Sequence, residues 1–330
     1  MSGRSLSPAG RLTAGKPMIE FPEAEMIDCG SVELEVFQAG QGGMPVLLAH
    51  GWPEHAFSWR YQIPALVREG YHVIVPNQRG YGRSSQPPEV EAYDCHNLTA
   101  DHMALLDALG IDKAVFVGHD WGALVVWYQP LLNPDRVLGV ANLSVPFLPR
   151  MPMDPVELME QANGPDFYIV HFNRQPGVAA AAFAANTRRF LTNIYRTNFW
   201  HEVDENQPSG MSIVDMAKVD MHRGDLMMSE EELDVFVSSF QYSGFDAPCN
   251  WYRNFTRNWE LTADLEFKVE HPALMIYGEY DMVRPVDMSD SVSDLEIQTL
   301  ECGHWIQQEK PDETNAILID WLNRRMRPLY

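Results

Sequence analysis

Short β-rich runs, punctuated by Gly and Pro, recur along the chain. They cover Val32 to Phe37, Val46 to Ala49, Val73 to Val75, Val115 to Val117 and Val137 to Leu143, then Leu274 to Tyr277 and Glu296 to Leu300. Several are apolar throughout rather than alternating, the pattern of strands buried on both faces of a parallel sheet. Such a sheet needs helices over both faces, and a 3.6-residue spacing supplies two. Leu98, Leu105, Leu106 and Leu109 form a stripe over Leu98 to Leu109, closed by Gly110. Over Pro311 to Arg325 the expected buried face is Ala316, Ile317, Trp321 and Leu322, with Arg324 and Arg325 in the last turn, where they suit the helix dipole.

Between about Pro146 and Leu261 the strand pattern stops, and the segment turns rich in Met, Phe, Tyr, Trp and Ala at helical spacing, as in Pro176 to Tyr195. Strands resume beyond it and the last is followed by a helix, so the segment interrupts one α/β domain rather than starting another. The expected organisation is a first core part over 20–146, a helical lid over 147–261 and a second core part over 262–330. The lid is expected over the carboxyl ends of the strands, where open α/β sheets bind ligands. Met151, Met153, Met159, Phe167 and Phe172 are expected to fill it, and any that face the site would make the substrate apolar.

At 330 residues the chain exceeds the roughly 100 to 200 of a usual single domain, in keeping with a core plus a large insertion. Its 24 Lys and Arg against 46 Asp and Glu give a net charge of −22, which repels phosphate backbones and anionic membrane surfaces, so no nucleic-acid or membrane partner is expected. The first twenty residues hold no apolar run of the leader type and no stretch is long enough to span a bilayer, so a cytoplasmic protein is expected. Cys29, Cys95, Cys249 and Cys302 are far apart, without a C-x-x-C pair, and Cys302 with His304 lacks further ligands nearby. Neither a disulfide framework nor a metal site is expected.

The chemistry concentrates just beyond the apolar runs. Gly118-His-Asp120-Trp-Gly122 joins a buried strand to a helix-compatible segment with the spacing of a nucleophile elbow, Asp standing at the apex. The glycines are a steric necessity where a strand turns directly into a helix, and a helix N-terminus favours the ionised carboxylate. A carboxylate nucleophile attacks carbon and leaves an ester, which divides a hard displacement into two easier steps. Asp281, in Gly278-Glu-Tyr-Asp281, and His304, in Cys302-Gly-His-Trp305, follow in the order nucleophile, acid, histidine. The acid would fix the tautomer of His304 and leave Nε2 free to activate water. Glu279 competes with Asp281 for that role but sits closer to its strand end. In His50-Gly-Trp52-Pro-Glu54 the backbone N–H of Trp52 can face an oxyanion together with that of Trp121, and Trp52-Pro53 is a candidate cis bond.

With these residues in hand, the chain resembles the epoxide hydrolases of the α/β-hydrolase fold from about Glu33 to Trp321. The resemblance is carried by His50-Gly-Trp-Pro-Glu54, Arg79-Gly-Tyr-Gly82, Gly118-His-Asp-Trp-Gly122, Asn250-Trp-Tyr-Arg-Asn254, Gly278-Glu-Tyr-Asp281 and Cys302-Gly-His-Trp305. It implies that Asp120, Asp281 and His304 form the triad, that Tyr252 is a lid donor to the epoxide oxygen, and that a second donor stands near Phe167 to Gly177. Tyr168 and His171 both compete for that place, with Tyr168 the expected donor and His171 its substitute. The implied reaction takes a small apolar epoxide and water to a vicinal diol, with no cofactor and no metal.

Two other readings share these motifs. A haloalkane dehalogenase has the same Asp nucleophile followed by Trp, but a leaving halide needs N–H donors and no proton, whereas an alkoxide needs an acidic O–H such as Tyr252. A fluoroacetate-type dehalogenase would need an Arg for the substrate carboxylate, and Trp121-Gly-Ala-Leu124 has none. A non-catalytic ligand-binding protein on the same scaffold is the reading from another class, set against competent residues at every position of the triad.

Overall fold

Eight strands form one sheet: β1 (Ala24–Asp28), β2 (Glu33–Ala39), β3 (Met44–Ala49), β4 (Tyr71–Asn77), β5 (Ala114–His119), β6 (Val137–Leu143), β7 (Ala273–Gly278) and β8 (Leu295–Leu300). Their spatial order is β1-β2-β4-β3-β5-β6-β7-β8. The pairs β1–β2 and β2–β4 are antiparallel and the remaining pairs parallel. This is a computed structural model, and it describes residues 21–197, 213–220 and 224–330. The first twenty residues, expected to lack a leader, lie outside the described residues.

The seven predicted runs fall on β2 to β8, and Val137–Leu143 matches β6 end to end. β1, with the sequence AEMID, is an almost wholly exposed edge strand without an apolar run, so periodicity has nothing to flag there. In the central strands, neighbouring residues point to opposite faces. Leu47, Ala49 and Phe116 face a core completed by Met103, Leu105 and Leu106 of α2 (Cys95–Ala108) and by Val126 and Trp127 of α3 (Trp121–Leu132). Val46, Leu48, Val115 and Val117 face another, closed by Ile63 and Leu66 of α1 (Gln62–Arg68) and by Leu318 and Trp321 of the C-terminal helix. Each such side chain contributes roughly 1.5 to 3 kcal/mol through burial, so the two faces together fix the sheet register.

The C-terminal helix corrects one expectation. Its buried residues are Thr314, Leu318 and Trp321, at i, i+4 and i+7, with Leu322 following, whereas Ala316 is exposed and Ile317 half-buried. The α-helix ends at Trp321, and Arg324 and Arg325 pair with Glu296 and Asp294 at β8 in addition to facing the helix end.

Between β6 and β7 the described residues form α4 (Pro155–Asn163), α5 (Tyr168–Arg174), α6 (Val178–Ala185), α7 (Thr187–Ile194), α8 (Glu230–Ser243), α9 (Asp246–Tyr252) and α10 (Phe255–Leu261). The helical stretch over Pro176 to Tyr195 is two helices, α6 and α7, because Asn186, at φ −141° and ψ 47°, leaves the helical conformation. Their apolar faces join Trp52, Tyr81, Trp121 and Trp305, from the loops at the carboxyl ends of the strands, in a third buried cluster. The buried Arg60 adds a polar tie, its Nε donating to Glu232 of α8 at 2.6 Å. After β8 come α11 (Ile306–Glu309) and α12 (Pro311–Trp321). No helix among the described residues is long and apolar enough to cross a membrane.

Candidate active site

β5 ends at His119 and α3 begins at Trp121, so Asp120 alone makes the turn, at φ 52° and ψ −119°. The turn is possible because its neighbours lack side chains. A Cβ on Gly118 would meet the carbonyl oxygen of Gly122 at 2.4 Å, and one on Gly122 would meet that of Ala49 at 2.1 Å. The carboxylate projects from the end of the strand, and its Oδ1 accepts the backbone N–H of Trp52 at 2.8 Å. The loop after β3 delivers that amide, through a Trp52–Pro53 peptide that is cis, as the sequence suggests. The N–H of Trp121 opens α3, where helix geometry leaves it without an intrahelical partner.

Two further strand ends complete the cluster. His304, beyond β8, places Nε2 3.6 Å from Oδ2 of Asp120. Its Nδ1 lies 3.0 and 3.1 Å from the two oxygens of Asp281, beyond β7. Glu279 is exposed, while Asp281 is 1 % exposed. Burial alone would push the Asp281 carboxyl up, but the charge and hydrogen bond of His304, with bonds from Ser144 and the Val283 amide, hold it below the usual carboxylate range. Burial would likewise push His304 down, yet Asp281 and Asp120 on either side outweigh it and hold the imidazole well above its ordinary range. The two flanking carboxylates thus favour the protonated form of the imidazole.

Opposite the carboxylate stands an aromatic wall. Tyr252, at the end of α9, packs edge-on against Trp121 at 5.0 Å and Trp52 at 5.4 Å between ring centroids. Tyr168, the first residue of α5, meets Tyr252 at 5.6 Å between ring centroids. Burial, reinforced by the charge of Asp120, raises both phenols well above the ordinary tyrosine range. His171, one turn along α5, meets the ring of Phe172 at 6.5 Å instead. The structure thus brings Tyr168 against Tyr252. Phe172 belongs to the wall, 5.6 Å from Trp52 and 5.1 Å from Tyr252, while Met159 and Phe167 pack against the same cluster half-buried.

Polar residues without an assigned part in the sequence reading lie beneath this site. The carboxylate of Glu54 accepts the Gly51 amide at 2.9 Å and the side-chain amides of Gln307 and Gln308 at 3.0 and 3.1 Å. His119 bridges from Glu54, 2.7 Å from its Nδ1, to the carbonyl oxygen of His304, 2.8 Å from its Nε2. Burial would push the Glu54 carboxyl up, but His119 and the Gly51 amide bring it down to about 2. The elbow and the loop bearing His304 are thereby tied through one buried ion. Glu54 and His119 stand within the motifs His50-Gly-Trp-Pro-Glu54 and Gly118-His-Asp-Trp-Gly122, and a charged residue directly after Pro53 was the available signal. Ser144, at the end of β6, donates to Oδ2 of Asp281 at 2.6 Å. Among the described residues no group of three or more His, Cys, Asp or Glu could hold a metal ion.

The arrangement can present a carboxylate to an electrophilic carbon, donate O–H groups to the leaving oxygen, and activate water at the imidazole. The family profile described as alpha/beta hydrolase fold matches residues 44–311. Epoxide hydrolase A of Mycobacterium tuberculosis is 41% identical over 321 residues, covering 91% of this chain and 97% of that protein. Bifunctional epoxide hydrolase 2 of Sus scrofa is 38% identical over 304 residues, covering 90% of this chain but only 54% of that protein, so the chain spans about half the length of this relative. The crystal structure of Epoxide Hydrolase A from Mycobacterium thermoresistibile superposes with a TM-score of 0.84 at 42% identity, covering 92% of this chain and 98% of that one. The chain belongs to the α/β-hydrolase fold family and, within it, to the epoxide hydrolases.

Proposed function

We propose that the protein opens an apolar epoxide to a vicinal diol through a covalent ester on Asp120. The observation that carries this reading is the position of one carboxylate between a backbone amide, an imidazole and a pair of phenols. Tyr252 and Tyr168 hydrogen-bond the oxirane oxygen from the lid. A free oxygen of Asp120 attacks a ring carbon, the C–O bond of the ring breaks, and a phenol proton passes to the forming alkoxide.

Esterification removes the charge of Asp120, and with it one of the two carboxylates that hold the proton on His304. The Nε2 proton then passes to the phenolate that ring opening leaves, which restores the phenol and makes the imidazole a base at the stage that needs one. Oriented by Asp281, it takes a proton from water, whose oxygen bonds to Cγ of Asp120. The backbone N–H groups of Trp52 and Trp121 stabilise the tetrahedral oxyanion. Collapse breaks the bond between Cγ and the ester oxygen, which takes the proton of the new carboxyl group and leaves as a hydroxyl of the diol. Asp120 thereby returns as a carboxylate, and His304 keeps the proton taken from water. The aromatic wall of Trp52, Trp121 and Phe172 favours an apolar substrate.

The phenols favour this reading over a haloalkane dehalogenase, because a halide leaves without a proton. Incubation with a simple aryl epoxide and, separately, with a chloroalkane separates the two. Diol from the epoxide with no halide release is expected. Halide release without diol, or a bound but unconverted epoxide, overturns the reading.

A further inference from the structure

Among the described residues two that are not glycine take a positive φ: Asp120 at 52° and Ser144 at 70°. An L side chain is crowded there, and such a conformation persists where the surrounding structure imposes it, most often at functional sites. The elbow accounts for Asp120. At Ser144, directly after β6, the chain makes a three-residue turn in which the amide of Val145 donates to the carbonyl of Leu143 at 2.9 Å. About a residue of positive φ this is the rare, strained form of the γ-turn. The Ser144 amide meanwhile stays in the sheet, donating to Ile276 at 3.0 Å. Glycine would make the same turn without strain.

What serine brings, and glycine cannot, is Oγ. Fully buried, it donates to Oδ2 of Asp281 at 2.6 Å and lies 3.1 Å from Nδ1 of His304, as far as Oδ2 itself lies from that nitrogen. With its proton committed to the carboxylate, Oγ offers lone pairs to Nδ1–H. The Nδ1 proton therefore faces three oxygens, two on Asp281 and one on Ser144.

We propose that Ser144 is a positioning residue for His304. Its strained turn aims a hydroxyl that fixes the plane of the Asp281 carboxylate and, as a third acceptor, locks the tautomer and tilt that keep Nε2 toward Asp120. The proposal rests on the two-step reading above, in which Nε2 works only in ester hydrolysis.

Stopped-flow single turnovers of the parent, Ser144→Gly and Ser144→Ala resolve the two steps. Ester hydrolysis should slow roughly tenfold in both variants, the loss expected for one hydrogen bond to a charged group, while alkylation stays within about twofold. In the steady state kcat and KM should fall together and kcat/KM hold, because only the second step suffers. Ser144→Gly removes the crowding along with the hydroxyl, so it should melt no lower than Ser144→Ala, which separates the hydroxyl from the fold. The proton NMR resonance of His304 Nδ1–H should also shift in Ser144→Gly.

Parent-like hydrolysis with an unmoved Nδ1–H resonance in folded Ser144→Gly overturns the proposal, as does equal slowing of both steps. If the parent itself forms no ester on Asp120, the two-step reading fails instead. The resonance then still decides whether Ser144 holds His304.

Discussion

The amide nitrogen of Trp52 lies 2.8 Å from Oδ1 of Asp120, while Nε2 of His304 lies 3.6 Å from Oδ2. The two oxygens of one carboxylate thus have different neighbours. In the proposed mechanism Oδ1 is held where an oxyanion would later need a donor, and Oδ2 is the oxygen that attacks.

An isotope experiment follows from that division. If Oδ2 attacks and the ester is cleaved at Cγ, the first diol carries an oxygen from Asp120, and the water oxygen stays on the enzyme. A single turnover in heavy-oxygen water, followed by peptide mass analysis, should label the peptide that contains Asp120. Label confined to the diol would mean direct attack by water and no ester.

Replacing His304 by Gln removes the base and leaves the nucleophile. Ester formation needs Asp120 and the phenols, so the intact mass should rise by one substrate and then persist, with turnover down by about 10² to 10⁴, the usual contribution of a positioned general base. Parent-rate turnover, or no adduct from a substrate that the parent converts, contradicts the role given to His304.

How much of this was legible in the sequence depends on how local the cause is. Gly118-x-Asp120-x-Gly122 could be read because the clashes that exclude a Cβ at Gly118 and Gly122 involve backbone only a few residues away or on the adjoining β3. The placement of Asp281 and His304 could be read because each stands just past a β-rich run, Leu274 to Tyr277 and Glu296 to Leu300. β1 could not, since an exposed edge strand needs no apolar pattern. The face of α12 was misjudged because Ala316 and Ile317 look apolar, yet the sheet packs on the row through Thr314, Leu318 and Trp321. Apart from the Gly51 amide at Glu54, the partners of the Ser144, Glu54 and His119 side chains are met through the tertiary fold, across sequence separations of 65 to 254 residues, and no local pattern encodes that.

The charge arrangement also predicts a pH dependence of stability. His304 is held above its ordinary value, so the stability it contributes is full below about pH 6.5 and is lost as pH rises through the raised pKa. Asp281 is held below its ordinary value, so its contribution is full above about pH 4 and is lost as pH falls through the depressed pKa. The gap in Tm between parent and His304→Gln should therefore be widest between those limits and narrow in alkali. A gap that stays flat from about pH 6 to pH 10 contradicts a raised His304.

The lid phenols give the sharpest test of substrate class. Tyr252 and Tyr168 pack ring to ring at 5.6 Å, and burial with the charge of Asp120 keeps both hydroxyls protonated far into alkali. A buried phenol of this kind is a poor acid towards water but a competent donor to an alkoxide, which is more basic still. The phenol contributes most as the ring opens, so its removal acts on the first step. Tyr252→Phe and Tyr168→Phe should each slow alkylation by about 10 to 100-fold, one charge-assisted hydrogen bond apiece, and leave ester hydrolysis nearly unchanged. The double variant should be almost inert towards epoxides. His171→Phe should alkylate like the parent, since His171 meets Phe172 rather than Tyr252. Should His171→Phe lose alkylation while Tyr168→Phe keeps it, the second donor is His171; should all three react like the parent, the lid does not protonate the leaving oxygen at all.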